Sequence, residues 1–260
     1  MKLIIEINSH AVKSNALEYP GGFGVIWMAA MEIIENIPLN LVPEDVVRRL
    51  RFNPARAGFS SLDDLVELAR SLAGLRAVYD ISYVGEKDSD AVEVAGVVFR
   101  SRILRHNLER AQKVFPYIMT VGPKLEKTAA SFGDLLKQYY LEEMANLILE
   151  EGVSWLADKL GTRWGFTGLS NMSPGSLEDW PITEQTKLFS LFGDTEKVVG
   201  VRLTDSLLMV PRKSISGILF PSEEGFISCR LCPREVCPSR KAPYDKNLDA
   251  ENKGRNFSLH

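Results

Sequence analysis

Asp134, following Gly133, opens the longest amphipathic pattern in the chain. Leu141, Met144, Ala145, Ile148, Gly152, Trp155 and Leu156 recur at three- and four-residue intervals and so share one face of a helix. Glu142, Glu143, Asn146, Glu150 and Ser154 fall on the other side. A helix of this length must bury its stripe, which makes Trp155 a core residue rather than a cofactor contact. The 260 residues are long enough to bury a core around such a helix without disulfides. They are 45% hydrophobic and 25% charged, a globular composition with no repeat or low-complexity tract.

Around this helix the pattern alternates. Met1 to Ile7 reads as a strand, Phe23 to Ile37 as a buried helix after Gly21-Gly22, and Pro43 to Leu50 as a short helix. Ser61-Leu62-Asp63-Asp64 places a hydroxyl cap before acids and predicts a helix from Leu62 to Leu75. Val78 to Val84 and Val92 to Phe99 form an expected hairpin across Gly85 to Asp88. Arg102 to Lys113 is expected as helix, with His106 on its surface, and Val114 to Val121 as a buried strand. Beyond Ala242 the polar tail is expected to be extended or partly disordered.

Charge and hydropathy narrow the class. With 31 Lys and Arg against 34 Asp and Glu, the net charge is -3 and offers no field for a phosphate backbone. Nucleic acid is therefore not an expected partner. The apolar run from Phe23 to Met31 falls well short of the roughly 20 residues of a membrane helix, so the reading is a soluble, cytoplasmic protein with no membrane partner. The histidines His10, His106 and His260 lie far in sequence from the serines discussed next, so no Ser/His/Asp arrangement is drawn.

Two segments carry candidate chemistry. Ser173-Pro174-Gly175 is a turn, and Trp180-Pro181 leads into a helix expected to be capped by Thr183 and stopped by Gly193. The amides of Gly175 and of that helix start could hold an anion; a plain helix-entry turn is the commoner outcome. Two strands are expected from Val199 to Phe220, joined at Pro211-Arg212-Lys213. There Ser214 and Ser216 share a face, and Gly217 marks a close approach to the backbone. That approach is either by a flat ligand or a bulge beside solvated serines.

Taken in order, Ser173-Pro174-Gly175, Trp180-Pro181, Thr204-Asp205-Ser206, Met209, Pro211, Ser214, Ser216 and Gly217 resemble the activation domain of cobalamin-dependent methionine synthase. The likeness is sharp over residues 165 to 227 and weaker from Ala77 to Leu160. It implies an α+β fold, a curved, largely antiparallel twisted sheet with flanking helices. It also implies binding of S-adenosylmethionine by Ser173, Pro174 and Gly175, closed over by the segment from Ser216 and Gly217 to Phe226. The family role so implied is reductive reactivation of cob(II)alamin carried by a partner. The family has an Arg four residues before its Gly, paired with the methyl donor's carboxylate. Asn171 stands here instead, keeping a hydrogen bond but not a charged fork. Ser176 replaces the aromatic residue that follows the Gly. No Asp-x-His-x-x-Gly run supplies a lower cobalt ligand.

The resulting expectation is a stand-alone activator acting in trans on a corrinoid-binding protein or cobalamin-dependent methyltransferase, with an electron donor protein as a further partner. The alternative is a non-catalytic module that caps a corrinoid protein; a zinc-thiolate methyltransferase is a third reading. The expected division is an N-terminal extension over 1–60, an activation-domain-like core over 61–227, and a cysteine tail over 228–260. All three cysteines, Cys229, Cys232 and Cys237, sit in that tail, where they suggest a reduced ligand set rather than a disulfide framework. An iron–sulfur cluster held by three thiolates is favoured over zinc, which needs a fourth ligand such as Asp245 or His260, and over bare thiols.

Overall fold

The computed structural model describes residues 31–39, 41, 43–50, 61–223, 225–237 and 239–254. The expected strand at Met1 to Ile7, the start of the Phe23 helix, His10 and His260 lie outside them. Within them the chain forms an α+β structure on an eight-stranded sheet, every pair antiparallel. The strands are β1 (Glu32–Ile34), β2 (Arg76–Tyr79), β3 (Ser82–Lys87), β4 (Ala91–Val94), β5 (Val97–Arg100), β6 (Lys113–Thr120), β7 (Leu169–Met172) and β10 (Ser214–Pro221). β8 (Arg202–Leu203) and β9 (Met209–Val210) form a separate two-stranded ribbon. β6 is the hub, pairing with β2 and β3 along one edge and with β10 along the other, and β10 carries β7 outward.

Pro116 lies inside this hub strand, where a residue without an N–H would cost a ladder bond. It falls where the neighbour changes: β2 ends at the Tyr79–Tyr117 pair and β3 begins at the Ser82–Val114 pair. At this change of neighbour Asp80 donates its N–H to the Pro116 carbonyl at 3.0 Å.

The helices are α1 (Pro43–Leu50), α2 (Leu62–Leu72), α3 (Arg102–Asn107), α4 (Pro123–Ser131), α5 (Leu135–Trp164), α6 (Gln185–Ser190), α7 (Thr195–Val199) and α8 (Lys246–Gly254). α5 is the amphipathic helix of the sequence pattern. Asp134 caps it by accepting from the amides of Leu136 and Lys137, and Gly165 ends it in the left-handed region at φ 70°. Its stripe packs on one face of the sheet with α1, α2 and α4, in a core shared with Phe115, Tyr117, Met119 and Leu219. At Gly152 the helix comes so near the sheet that a Cβ would lie 2.7 Å from the Met119 sulfur. The opposite face buries Val78 and Ile118 against Phe189, Phe192 and Val199, and Met172, Ile218 and Phe220 against Trp180.

Several expected elements move. Residues 32–34 are strand rather than helix, since Ile33 and Ile34 pair with Val78 and Ala77 at the open edge of β2. Gly85 to Lys87 belong to β3, and the hairpin turns at 88–90 instead. Val92 to Phe99 is itself a hairpin, because Ala95 and Gly96 take positive φ (51° and 79°) and form a tight turn. The helix expected from Arg102 to Lys113 ends at Asn107, with His106 exposed as expected. Most of Val199 to Pro211 is loop around the β8–β9 ribbon. Residues 243–254 of the tail are held by α8: Leu248 packs against the core, and Tyr244 donates to Asp249 at 2.7 Å.

Candidate functional site

β7 and β6 lie on opposite sides of β10, with Tyr117 across from Gly217 and Asn171 across from Leu219. Because Gly217 has no side chain, the Tyr117 phenol passes over it and donates to Asn171 Oδ1 at 3.0 Å. The fit is close: a Cβ on Gly217 would lie 2.6 Å from the Met172 carbonyl oxygen, 2.8 Å from Asn171 Oδ1 and 2.9 Å from Ser173 Oγ. The close approach expected at Gly217 is thus made by the chain's own segment 171–173. Ser173 Oγ is shielded from solvent beside the same phenol without the alignment of a hydrogen bond. Tyr117 is fully buried, which pushes its phenol above the ordinary range against a smaller opposing effect of Ser173 and Asn171. It stays a protonated donor at any physiological pH.

The remaining candidates separate from this cluster. Ser216 is one residue from Gly217 and therefore on the other face of the sheet, buried to 2% exposure with its hydroxyl unpaired. Ser214 is buried as well and donates to the Pro211 carbonyl at 2.7 Å, so the serines are not a solvated face. Phe226 stacks near Phe220 at 6.2 Å, on that second face, and its N–H is held by Ser170 Oγ at 2.7 Å. Phe226 is thereby tied to β7 at Ser170, and Ser222 is anchored by its N–H on the Gly168 carbonyl.

Gly175 takes φ 79° and spends its N–H on the Trp180 carbonyl at 2.7 Å, while the amide and hydroxyl of Ser176 both bond the Ser173 carbonyl. Pro174 is buried. The loop is a self-satisfied turn, the commoner of the two outcomes drawn from the sequence, and the Gly175 amide is not open to an anion. Nor does Thr183 cap a helix: a single 3-10 turn over Ile182–Glu184 precedes the six-residue α6, and no side chain caps it. The loop is pinned from below. Trp180 is fully buried and meets Phe99 edge to face, and Asp179 accepts from Ser101 Oγ, the Ile103 N–H and Arg102 Nε. Tyr117 and Asp179, neither singled out in the sequence, thus hold both ends of the 171–180 segment.

The cysteine loop folds back on itself. Cys229 lies in a 3-10 turn (Ser228–Leu231), its carbonyl accepts from the Cys232 N–H and from Arg240, and its sulfur from the Lys241 N–H at 3.4 Å. Arg240 also bonds the carbonyls of Arg234 and Ala242, and its own N–H bonds that of Cys237. All three cysteines are free and half-buried. Among the described residues, no group of three or more His, Cys, Asp or Glu side chains is close enough to hold a metal ion. Two clefts lie elsewhere: one of about 300 Å³ between Arg230 and Tyr244, and one of about 330 Å³ beside Gly74, Arg76 and Gly122. The 171–176 segment lines neither. No helix among the described residues is long and apolar enough to cross a membrane.

This geometry is that of a sheet edge whose loop is held in place by buried donors, and the same segment has a counterpart among known families. Residues 173–226 match the activation domain of vitamin B12 dependent methionine synthase. The resemblance seen in the sequence is shown, and the match begins at Ser173 and ends at Phe226. The activation-domain likeness extends to the architecture. The crystal structure of the MetH reactivation domain bound to AdoHcy superposes with a TM-score of 0.50 over 76% of this chain and 81% of that domain, at 14% identity. At that identity the likeness speaks for the fold. No curated protein matches the chain.

Proposed function

We propose that the protein is an activator that binds S-adenosylmethionine and acts in trans on a corrinoid-binding protein or cobalamin-dependent methyltransferase. The observation that carries this is the activation-domain match over 173–226, on a fold shared with a domain solved with S-adenosylhomocysteine. One electron from a donor protein and a methyl group from S-adenosylmethionine, leaving as S-adenosylhomocysteine, would return the partner's oxidised cobalamin to its methylated form. The cobalamin is assigned to the partner because the sequence has no Asp-x-His-x-x-Gly run for a lower cobalt ligand. Asn171, Ser173, Pro174, Gly175 and Ser176 are the proposed adenosylmethionine-binding segment, with Gly217 beneath it.

An iron–sulfur cluster, or zinc, on Cys229, Cys232 and Cys237 belongs to the same proposal through ligand type and spacing. Loading would have to draw the three thiols together, so no electron is routed through them here. A second reading, a capping module without chemistry, is favoured by the Gly175 amide being already spent on Trp180. Equilibrium dialysis with labelled S-adenosylmethionine tests the main reading. Saturable binding of one equivalent supports it, and no binding in the presence of a corrinoid protein leaves the capping module.

A further inference from the structure

β5 (Val97–Arg100) ends the sheet, and among the described residues it pairs with β4 alone. An outermost strand leaves every second residue with its N–H and C=O pointing away from the sheet, a template for another strand. On β5 two side chains from the neighbouring turn and helix take up these groups. Glu184 accepts from the Arg100 N–H at 2.9 Å, and Lys187 donates to the Val98 carbonyl at 3.0 Å. The two side chains also pair with each other at 2.8 Å. The Glu184 side chain is only 9% exposed, while Val98 beside it is 49% exposed. A carboxylate taken out of water needs partners, and here one of them is the edge of the sheet itself. The ion pair thus supplies one acceptor and one donor where an adjoining strand would supply a C=O and an N–H.

We propose that Glu184 and Lys187 plug the edge of β5 and so keep it from pairing with β5 of a second copy of this chain. The occupant follows from the pattern of the edge. In an antiparallel pair centred on Phe99, Val98 lies opposite Arg100 of the second copy, and the Arg100 N–H of each copy bonds the Val98 carbonyl of the other. The donor and the acceptor that the plug takes are therefore the ones such a pair would share. The edge is self-complementary, as the contact of a two-fold dimer must be. Val97, Val98 and Phe99 are also residue types that favour a strand, so nothing in the sequence of β5 itself blunts its edge. The plug is independent of what the 171–176 segment binds.

The test is sedimentation velocity over a concentration series. Wild-type protein is compared with Glu184→Ala/Lys187→Ala, which opens both backbone groups and leaves no buried charge unpaired. The expected result is self-association about tenfold tighter than in the wild type. Adding Val98→Lys to the open variant sets an ammonium opposite the Arg100 guanidinium of the second copy and should restore wild-type behaviour. Hydrogen exchange locates the contact: the Arg100 amide should exchange freely in the dilute open variant and become protected as it associates. A folded open variant that associates no more than the wild type overturns the proposal. So does association that survives Val98→Lys or leaves the Arg100 amide unprotected. Should the open variant not fold, judged by its thermal transition, Glu184→Met/Lys187→Met carries the same comparison, since it keeps the packing volume and still opens both groups.

Discussion

At Gly217 a single absent side chain joins three strands. A Cβ there would meet the Met172 carbonyl at 2.6 Å, and backbone cannot swing aside as a flexible side-chain end does. Gly217→Ala should therefore destabilise the protein by ~1–3 kcal/mol in urea unfolding, by forcing β7 and β10 apart. Asp80 makes a second prediction. It is buried between β2 and β3 with Ser82 Oγ on its carboxylate, and burial raises its pKa above the ordinary value against the smaller opposing effects of Ser82 and the Ile81 backbone. The native state therefore holds that proton to higher pH than the unfolded chain does, and stability falls as pH rises through this range. Asp80→Asn should be more stable than wild type at pH 7, with the advantage shrinking toward pH 4 in parallel denaturation curves. Residue chemistry was legible in the sequence where it acts locally: Ser61 and Asp134 cap their helices as their side-chain oxygens dictate. Tyr117 was not, because its partner lies 54 residues away and a phenol in an apolar strand carries no mark of what it will meet.

Among the elements, long periodic segments followed their pattern and short ones followed their neighbours. α2, α5 and β6 lie where periodicity put them, since each has enough residues for a stripe or a run to outweigh local exceptions. β1 and the β4–β5 hairpin were set by pairing and by the Ala95-Gly96 turn, information that periodicity does not contain. α8 was hidden by polarity. It is secured by Leu248, by Asp249 under Tyr244, and by the Asp245 carboxylate at the amides of Asn247 and Leu248. The 173–180 loop depends on the start of α3 in the same way. Asp179 accepts from two groups of that start and from Arg102, so Asp179→Ala would strand them and loosen residues 173–180. The expected cost is ~2 kcal/mol, together with faster hydrogen exchange at the Gly175 and Trp180 amides.

At the scale of the whole molecule, the described residues share the fold of the MetH reactivation domain, and the cysteine loop and α8 follow the matched span 173–226. The motif order from Ser173 to Gly217 pointed to the domain that matches over 173–226, because spacing constrains a loop, a helix entry and a strand together. The division of those residues between two sheet faces was not visible, since it depends on β10 lying between β6 and β7. Arg240 ties the cysteine loop together, and iron analysis decides what the three thiols hold in the cell. Protein purified without oxygen should carry iron and acid-labile sulfide, lost in Cys232→Ser. Zinc alone would make the loop a staple, and three thiols reactive to a disulfide reagent would remove metal from the account. The central claim is rescue of a partner's cobalamin. The direct measurement is the visible spectrum of a cob(II)alamin-loaded corrinoid protein, mixed without oxygen with a reductant, S-adenosylmethionine and this protein. The account predicts conversion to the methylcobalamin spectrum only when this chain is present. The same slow change with and without it, for every corrinoid partner tried, would contradict the account.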